Sequence, residues 1–111
     1  MSLPAASELL DHIREAAGQA ISYVEGLAKD DFLADKRTQQ AVILNIVILG
    51  EAATKLMDNH PEATAAYPEI EWRAMRGMRN RIAHGYYDIN LDVVWDTVAV
   101  ALPELLAVLG R

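Results

Sequence analysis

The chain contains no cysteine, which removes disulfide frameworks and thiolate metal sites from consideration. A reducing compartment is compatible with that composition. Aromatic residues make up only 6% of a chain that is 52% hydrophobic, so the core has to be aliphatic. The longest apolar run, Ala41 to Gly50, is interrupted by Asn45 and is too short to span a bilayer. No basic region followed by an apolar stretch stands at the N-terminus, so no targeting signal is read, and a soluble cytoplasmic protein without membrane contact is expected. Glycine-rich phosphate loops and serine-nucleophile motifs are missing. His12 and His60 lie far from His84 without metal-ligand spacing; both are expected at the surface, and neither a metal nor a cofactor is expected. At 111 residues the chain reads as one domain over residues 1–111, long enough for a single core and small enough to gain from self-association.

Positive charge is also scarce. The net charge is −6 and the pI about 4.9, which argues against broad electrostatic binding to nucleic acid. The distribution reverses that locally: Arg73, Arg76, Arg79 and Arg81 are four of the ten basic residues, while Asp30, Asp31 and Asp35 gather elsewhere. An acidic body with one basic spot suits a focused anion site better than a long track.

What is present is helical periodicity. Leu9, Leu10, Ile13, Ala16, Ala17, Ala20, Ile21, Val24 and Leu27 recur at three- and four-residue spacing, giving a first amphipathic helix with Ser7 as its cap or Pro4 in its first turn. Lys29-Asp30-Asp31 reads as a turn. A second helix starts between Asp35 and Thr38 and runs to about Asn59, where Pro61 stops it. It is apolar almost all round, so it is either the central helix of a bundle or a subunit interface, and the interface is favoured because four short helices cannot easily enclose it. Pro61 to Pro68 reads as a loop, and a third helix spans Glu69 or Ile70 to Ala83 or His84, with Gly85 stopping it in the left-handed conformation. Asn90 caps a fourth helix, in which Pro103 predicts a kink or restart. No strand pattern appears. The fold class is all-α, an antiparallel four- to five-helix bundle.

The chemistry concentrates in Met78-Arg79-Asn80-Arg81-Ile82-Ala83-His84-Gly85-Tyr86-Tyr87. Arginine carries a permanent cation with a donor fork suited to phosphate, and histidine can serve as base and then acid near neutral pH. A plain alternative stands beside this: basic residues in a last helical turn are what the helix dipole favours anyway. Against it, Arg79 falls in the middle of the apolar arc formed by Trp72, Met75, Met78 and Ile82, where a charge needs an anion or a partner. Glu51, in the apolar second helix, is either that partner or a surface carboxylate. Asn80 and His84 share a face and can hydrogen-bond. Arg79 and His84, about 140° apart round a helix, converge on one ligand only if the helix ends between them or a second subunit contributes. Arg73 and Arg76 either extend a phosphate-binding patch or lie on a solvated face. Tyr86 is expected exposed and Tyr87 buried, because neighbours in extended chain point opposite ways. Trp72 and Trp95 read as core or interface packing.

This segment resembles the HEPN superfamily, and more narrowly the HepT-like toxins, whose pattern is Arg-x4-His-x-Tyr. Arg79, His84 and Tyr86 fit it without a gap, and Asn80 fills the polar slot. Asp35-Lys36-Arg37-Thr38-Gln39, Gly50-Glu51-Ala52, Glu71-Trp72-Arg73, Val94-Trp95 and Leu102-Pro103 resemble the family's flanks, so nearly the whole chain is covered.

The resemblance implies a homodimer acting as a metal-independent endoribonuclease toxin, paired with a nucleotidyltransferase antitoxin. That partner can transfer AMP to the motif tyrosine, here Tyr86. RNA, with tRNA as one candidate, is the implied substrate. His84 is then the base acting on a 2′-hydroxyl, Arg79 holds the scissile phosphate, and Asn80 orients His84 or donates to phosphate. The competing class is a non-catalytic module that binds a nucleotide and the nucleotidyltransferase, with Arg79 as an anion anchor.

Overall fold

The computed structural model describes residues 3–110, and among these no strand occurs. Seven α-helical segments follow one another: α1 (Ala6–Tyr23), α2 (Lys29–Leu33), α3 (Lys36–Asn59), α4 (Pro61–Ala65), α5 (Trp72–His84), α6 (Leu91–Asp96) and α7 (Leu102–Leu109). The all-α expectation therefore holds. Helix α3 is the spine of the bundle, with α1 along one side and α5 along another, while α7 packs against α1.

The α1–α3 seam is built largely from small side chains. Ala16, Ala17 and Ala20 are buried on α1 and Ala52 and Ala53 on α3, and short side chains at a helix contact permit a small interaxial distance. Around that seam Leu9, Ile13, Val42, Ile46, Leu49 and Leu56 fill the interior. Phe32 is fully buried and meets Trp95 ring to ring at 5.5 Å, which pins α2 to α6 as the Lys29–Asp92 ion pair at 3.0 Å does at the surface.

Helix α3 has a window of mean hydropathy 1.4 and could by composition alone cross a bilayer, but half of that window is buried inside the bundle. Its start is well defined. Asp35 accepts from the Thr38 backbone N–H at 3.3 Å and from the Thr38 hydroxyl at 2.7 Å, and these bonds, the hydroxyl's foremost, hold the Asp35 carboxyl below its usual pKa. At the other end of the chain Asn90 accepts from the backbone of Asp92 and Val93, the expected cap of α6.

Several local expectations are corrected. Lys29 to Asp31 is helical rather than a turn, because Asp31 reaches back to accept from the Ala28 N–H at 2.8 Å and closes a first turn. Pro61 opens the short helix α4 instead of a loop, its missing N–H being one that a helix start leaves unpaired in any case. Ser7 does not cap α1 and Pro4 lies before its first turn; Ala5 holds the cap position without a side-chain bond. Helix α5 begins at Trp72, a little later than expected. His60 is half-buried rather than at the surface, its Nε2 lying 2.9 Å from the Pro4 carbonyl oxygen. At Pro103 the expected restart is met: α6 gives way to a π-helical turn over Thr97–Ala101, and α7 begins at Leu102 with Pro103 in its first turn, which accommodates a ring that would otherwise strike the carbonyl of Ala99.

Candidate functional site

Helix α5 carries the arginines, and its contact with α3 decides how they are held. Gly50 makes that contact possible: a Cβ there would lie 2.5 Å from the Arg79 Cβ and 3.1 Å from the Met75 carbonyl oxygen. The missing side chain lets α5 settle onto α3 and lays the Arg79 side chain along the α3 surface. Its Nη1 meets Glu51 Oε1 at 2.9 Å, and its Nη2 donates to the Thr54 hydroxyl at 3.0 Å. That hydroxyl in turn donates to the Gly50 carbonyl oxygen at 2.8 Å, which fixes the lone pair it offers. The Arg79 Nε is buried without a hydrogen-bond partner among the described residues.

Arg76, one turn earlier, is held similarly. Its Nη2 lies 2.7 Å from Asp58 Oδ1, and its Nε is likewise buried and unpartnered among the described residues. One ridge of α3 (Gly50, Glu51, Thr54 and Asp58) thus receives both guanidinium groups. Of the two readings left open for Glu51, the partner of Arg79 within the same chain is the one observed. Arg73 is exposed and makes no ion pair among the described residues.

The histidine lies elsewhere on the helix. Because α5 runs unbroken from Trp72 to His84, Arg79 and His84 stay about 140° apart, and one chain does not bring them onto one ligand. Asn80 and His84 are both exposed, and no hydrogen bond joins them among the described residues, so the Asn80 contact that sequence spacing allows is not made.

Beyond the helix, Gly85 has φ −150° and ends it without the expected left-handed turn. The chain then winds into a 3₁₀ turn over Tyr86–Asp88. This overturns the burial expected for Tyr87. Alternation applies to extended chain, and here both rings project, Tyr86 being 46% and Tyr87 98% exposed. Their rings meet edge to face at 6.1 Å, and the Tyr86 hydroxyl accepts from Gln40 Nε2 at 3.2 Å.

The ridge that receives Arg79 borders an apolar strip. Leu44 and Ile48 of α3 are 59% and 43% exposed, and they lie between Gln40, which holds Tyr86, and Glu51, which holds Arg79. Trp72 is buried and donates from Nε1 to the Tyr67 carbonyl oxygen at 3.2 Å, and Trp95 packs on Phe32, so neither offers a base-stacking face. Sequence reasoning missed Gly50 as a contact residue, Thr54 and Gln40. The four-residue step from Gly50 to Thr54 beside Glu51 was the available signal for Thr54, and nothing local marks Gln40.

The profile of the family described as Ribonuclease HepT-like matches residues 13–111. A protein of Thermococcus cleftensis described as a probable ribonuclease HepT is 35% identical over 98 residues, covering 88% of this chain and 86% of its own. A candidate RNase of Methanocaldococcus jannaschii is 33% identical over 92 residues, covering 83% and 74%, and one of Caldanaerobacter subterraneus is 30% identical over 96 residues, covering 86% and 83%. No solved structure matches the chain significantly.

Proposed function

The chain belongs to the HepT-like ribonuclease family, and from that premise we propose that it is a metal-independent endoribonuclease toxin whose site is completed by a second copy of the chain. The observation that carries this reading is the strip of Leu44 and Ile48 beside the held Arg79. Pairing two chains through that strip buries the exposed apolar surface. It also sets the motif helices of both chains about one cleft, which supplies the histidine that a single α5 turns away from its own Arg79. RNA, tRNA among the candidates, is the substrate, and the protein works in the cytoplasm.

In the mechanism, the His84 imidazole takes the proton of an RNA 2′-hydroxyl, whose oxygen attacks the adjacent phosphorus. The 5′-oxygen of the next nucleotide leaves with a proton from the second chain's histidine. Arg79 faces the non-bridging oxygens, where charge builds, and is aimed beforehand by Thr54 and Glu51. Asn80 supplies a further donor to phosphate or orients His84, while Arg76 and Arg73 extend the contact along the RNA backbone. The test is incubation of end-labelled tRNA with the protein in EDTA, followed by analysis of the cut ends. Products ending in 2′,3′-cyclic phosphate and 5′-hydroxyl are expected; 3′-hydroxyl ends would rule out the 2′-hydroxyl route.

Control by a nucleotidyltransferase antitoxin is part of the same proposal. The Tyr86 hydroxyl loses its proton to water as its oxygen attacks the α-phosphorus of ATP, pyrophosphate leaves, and Tyr86 carries AMP. The half-exposed ring and its hydroxyl tethered by Gln40 support this choice over core packing. Intact-mass analysis after co-expression with a cognate nucleotidyltransferase should find AMP additions that Tyr86→Phe removes; additions that survive this substitution would move the modification elsewhere.

A second reading, a non-catalytic module that binds nucleotide and nucleotidyltransferase, draws on the fact that Glu51 and Asp58 already meet the charges of Arg79 and Arg76. It is the reading left if purified, unmodified protein cuts no RNA.

A further inference from the structure

A second feature of α5 lies on the side turned from Thr54 and Asp58. Met75 and Met78 form one wall of a groove whose other wall is Leu105 and Val108 of α7, with Leu49 of α3 at its floor, and the space amounts to about 310 Å³. Ala74 on one wall and Ala101 on the other are too short to fill the space between α5 and the C-terminal helix. Glu69, Glu71 and Glu104 stand along this space, all exposed, and none makes an ion pair among the described residues.

We propose that this groove is the docking site for an amphipathic helix with basic flanks, presented by a partner protein. An apolar channel between two helices is the shape that takes anchors from a helix at three- and four-residue spacing. Methionines make such a wall adaptable to the anchors' shapes. The choice of occupant rests on charge. Three exposed carboxylates attract lysine or arginine beside the anchors and repel RNA phosphates. They also disfavour a second copy docked groove to groove, which would set these carboxylates against their equivalents. The proposal does not depend on catalysis, because binding is read without RNA.

The probe is a fluorescein-labelled leucine–lysine amphipathic peptide of about 15 residues, a length at which helix formation becomes practical. Two controls accompany it: the same leucine stripe with glutamate for lysine, and a scrambled lysine peptide with no stripe. Fluorescence anisotropy should show saturable binding of the first peptide only, at one per chain. Ala101→Trp fills the groove from an exposed position, and Glu104→Lys reverses one rim charge. Each should weaken binding by at least about tenfold with the thermal midpoint and circular dichroism retained. Absence of binding, equal binding of the scrambled peptide, or binding indifferent to Ala101→Trp would overturn the proposal. So would sedimentation showing that Ala101→Trp dissociates a dimer, since the groove would then belong to a second copy.

Discussion

His84→Ala is expected to remove RNA cleavage while leaving the thermal midpoint where it was. The imidazole is exposed and makes no hydrogen bond or ion pair among the described residues, so its removal leaves no unsatisfied group and no cavity. Positioned general bases commonly contribute about 10²–10⁴ in rate, and on the proposed arrangement both histidines of the cleft are lost together. Arg79→Ala should lower the rate by about 10²–10³, the range seen when one preorganised donor to a developing charge is deleted. Its stability effect should be small, because the Glu51 carboxylate left behind is about half exposed and water can take the place of the guanidinium. Arg79→Lys keeps the charge without the planar fork and should recover only part of the loss. Single-turnover cleavage measured beside thermal unfolding separates the two quantities. A His84→Ala protein that cuts RNA at the wild-type rate would end the assignment of His84 as base.

Gly50→Val is expected to act on stability and activity together, which distinguishes it from the two variants above. The nearest atom to a new Cβ is the Cβ of Arg79, at 2.5 Å, and the next includes the Met75 carbonyl oxygen at 3.1 Å. Neither can be rotated away, so α5 itself has to move off α3. Overpacking of this kind typically costs about 1–3 kcal/mol, against a helix-propensity gain of well under about 1 kcal/mol on leaving glycine, so destabilisation wins. The thermal midpoint should fall by several degrees. Cleavage well below that midpoint should drop by about 10², the scale associated with an ångström of misplacement at a reacting centre. Calorimetry together with cleavage assays checks both. A variant as stable and as active as the wild type would show that the α3–α5 contact yields without moving Arg79.

Much of this architecture was legible in the residues. The long helices announce themselves because an apolar stripe sustained over several turns has only one geometric explanation, and Asp35 and Asn90 cap where their side-chain chemistry says they should. Helices α2 and α4 were not legible, since five residues carry too little period to distinguish a single helical turn from a loop. Tyr87 failed for a related reason: its burial was inferred from extended chain, and the backbone after Gly85 curls instead. At the site, the need of Arg79 for an anion could be read from its place on an apolar arc. Glu51 could be offered as its partner because a carboxylate in an apolar helix has the same need, but its bracing by Thr54 and admission by Gly50 depend on how two helices separated in sequence come together, and no local pattern records such a meeting. Gln40, 46 positions from the tyrosine it holds, is the extreme case.

The pair between Arg79 and Glu51 has a consequence for which anions the site answers to. On the proposed function, a phosphate that takes Nη1 from Glu51 competes with a carboxylate already held beside it, which lowers that phosphate's apparent affinity. A lone inorganic phosphate brings only its own contacts to that competition. A polynucleotide gripped at several points brings its next phosphate at high effective concentration and wins it. On the proposed function, Glu51 therefore favours a polynucleotide over small phosphate compounds, which compete for the guanidinium without neighbouring contacts to hold them.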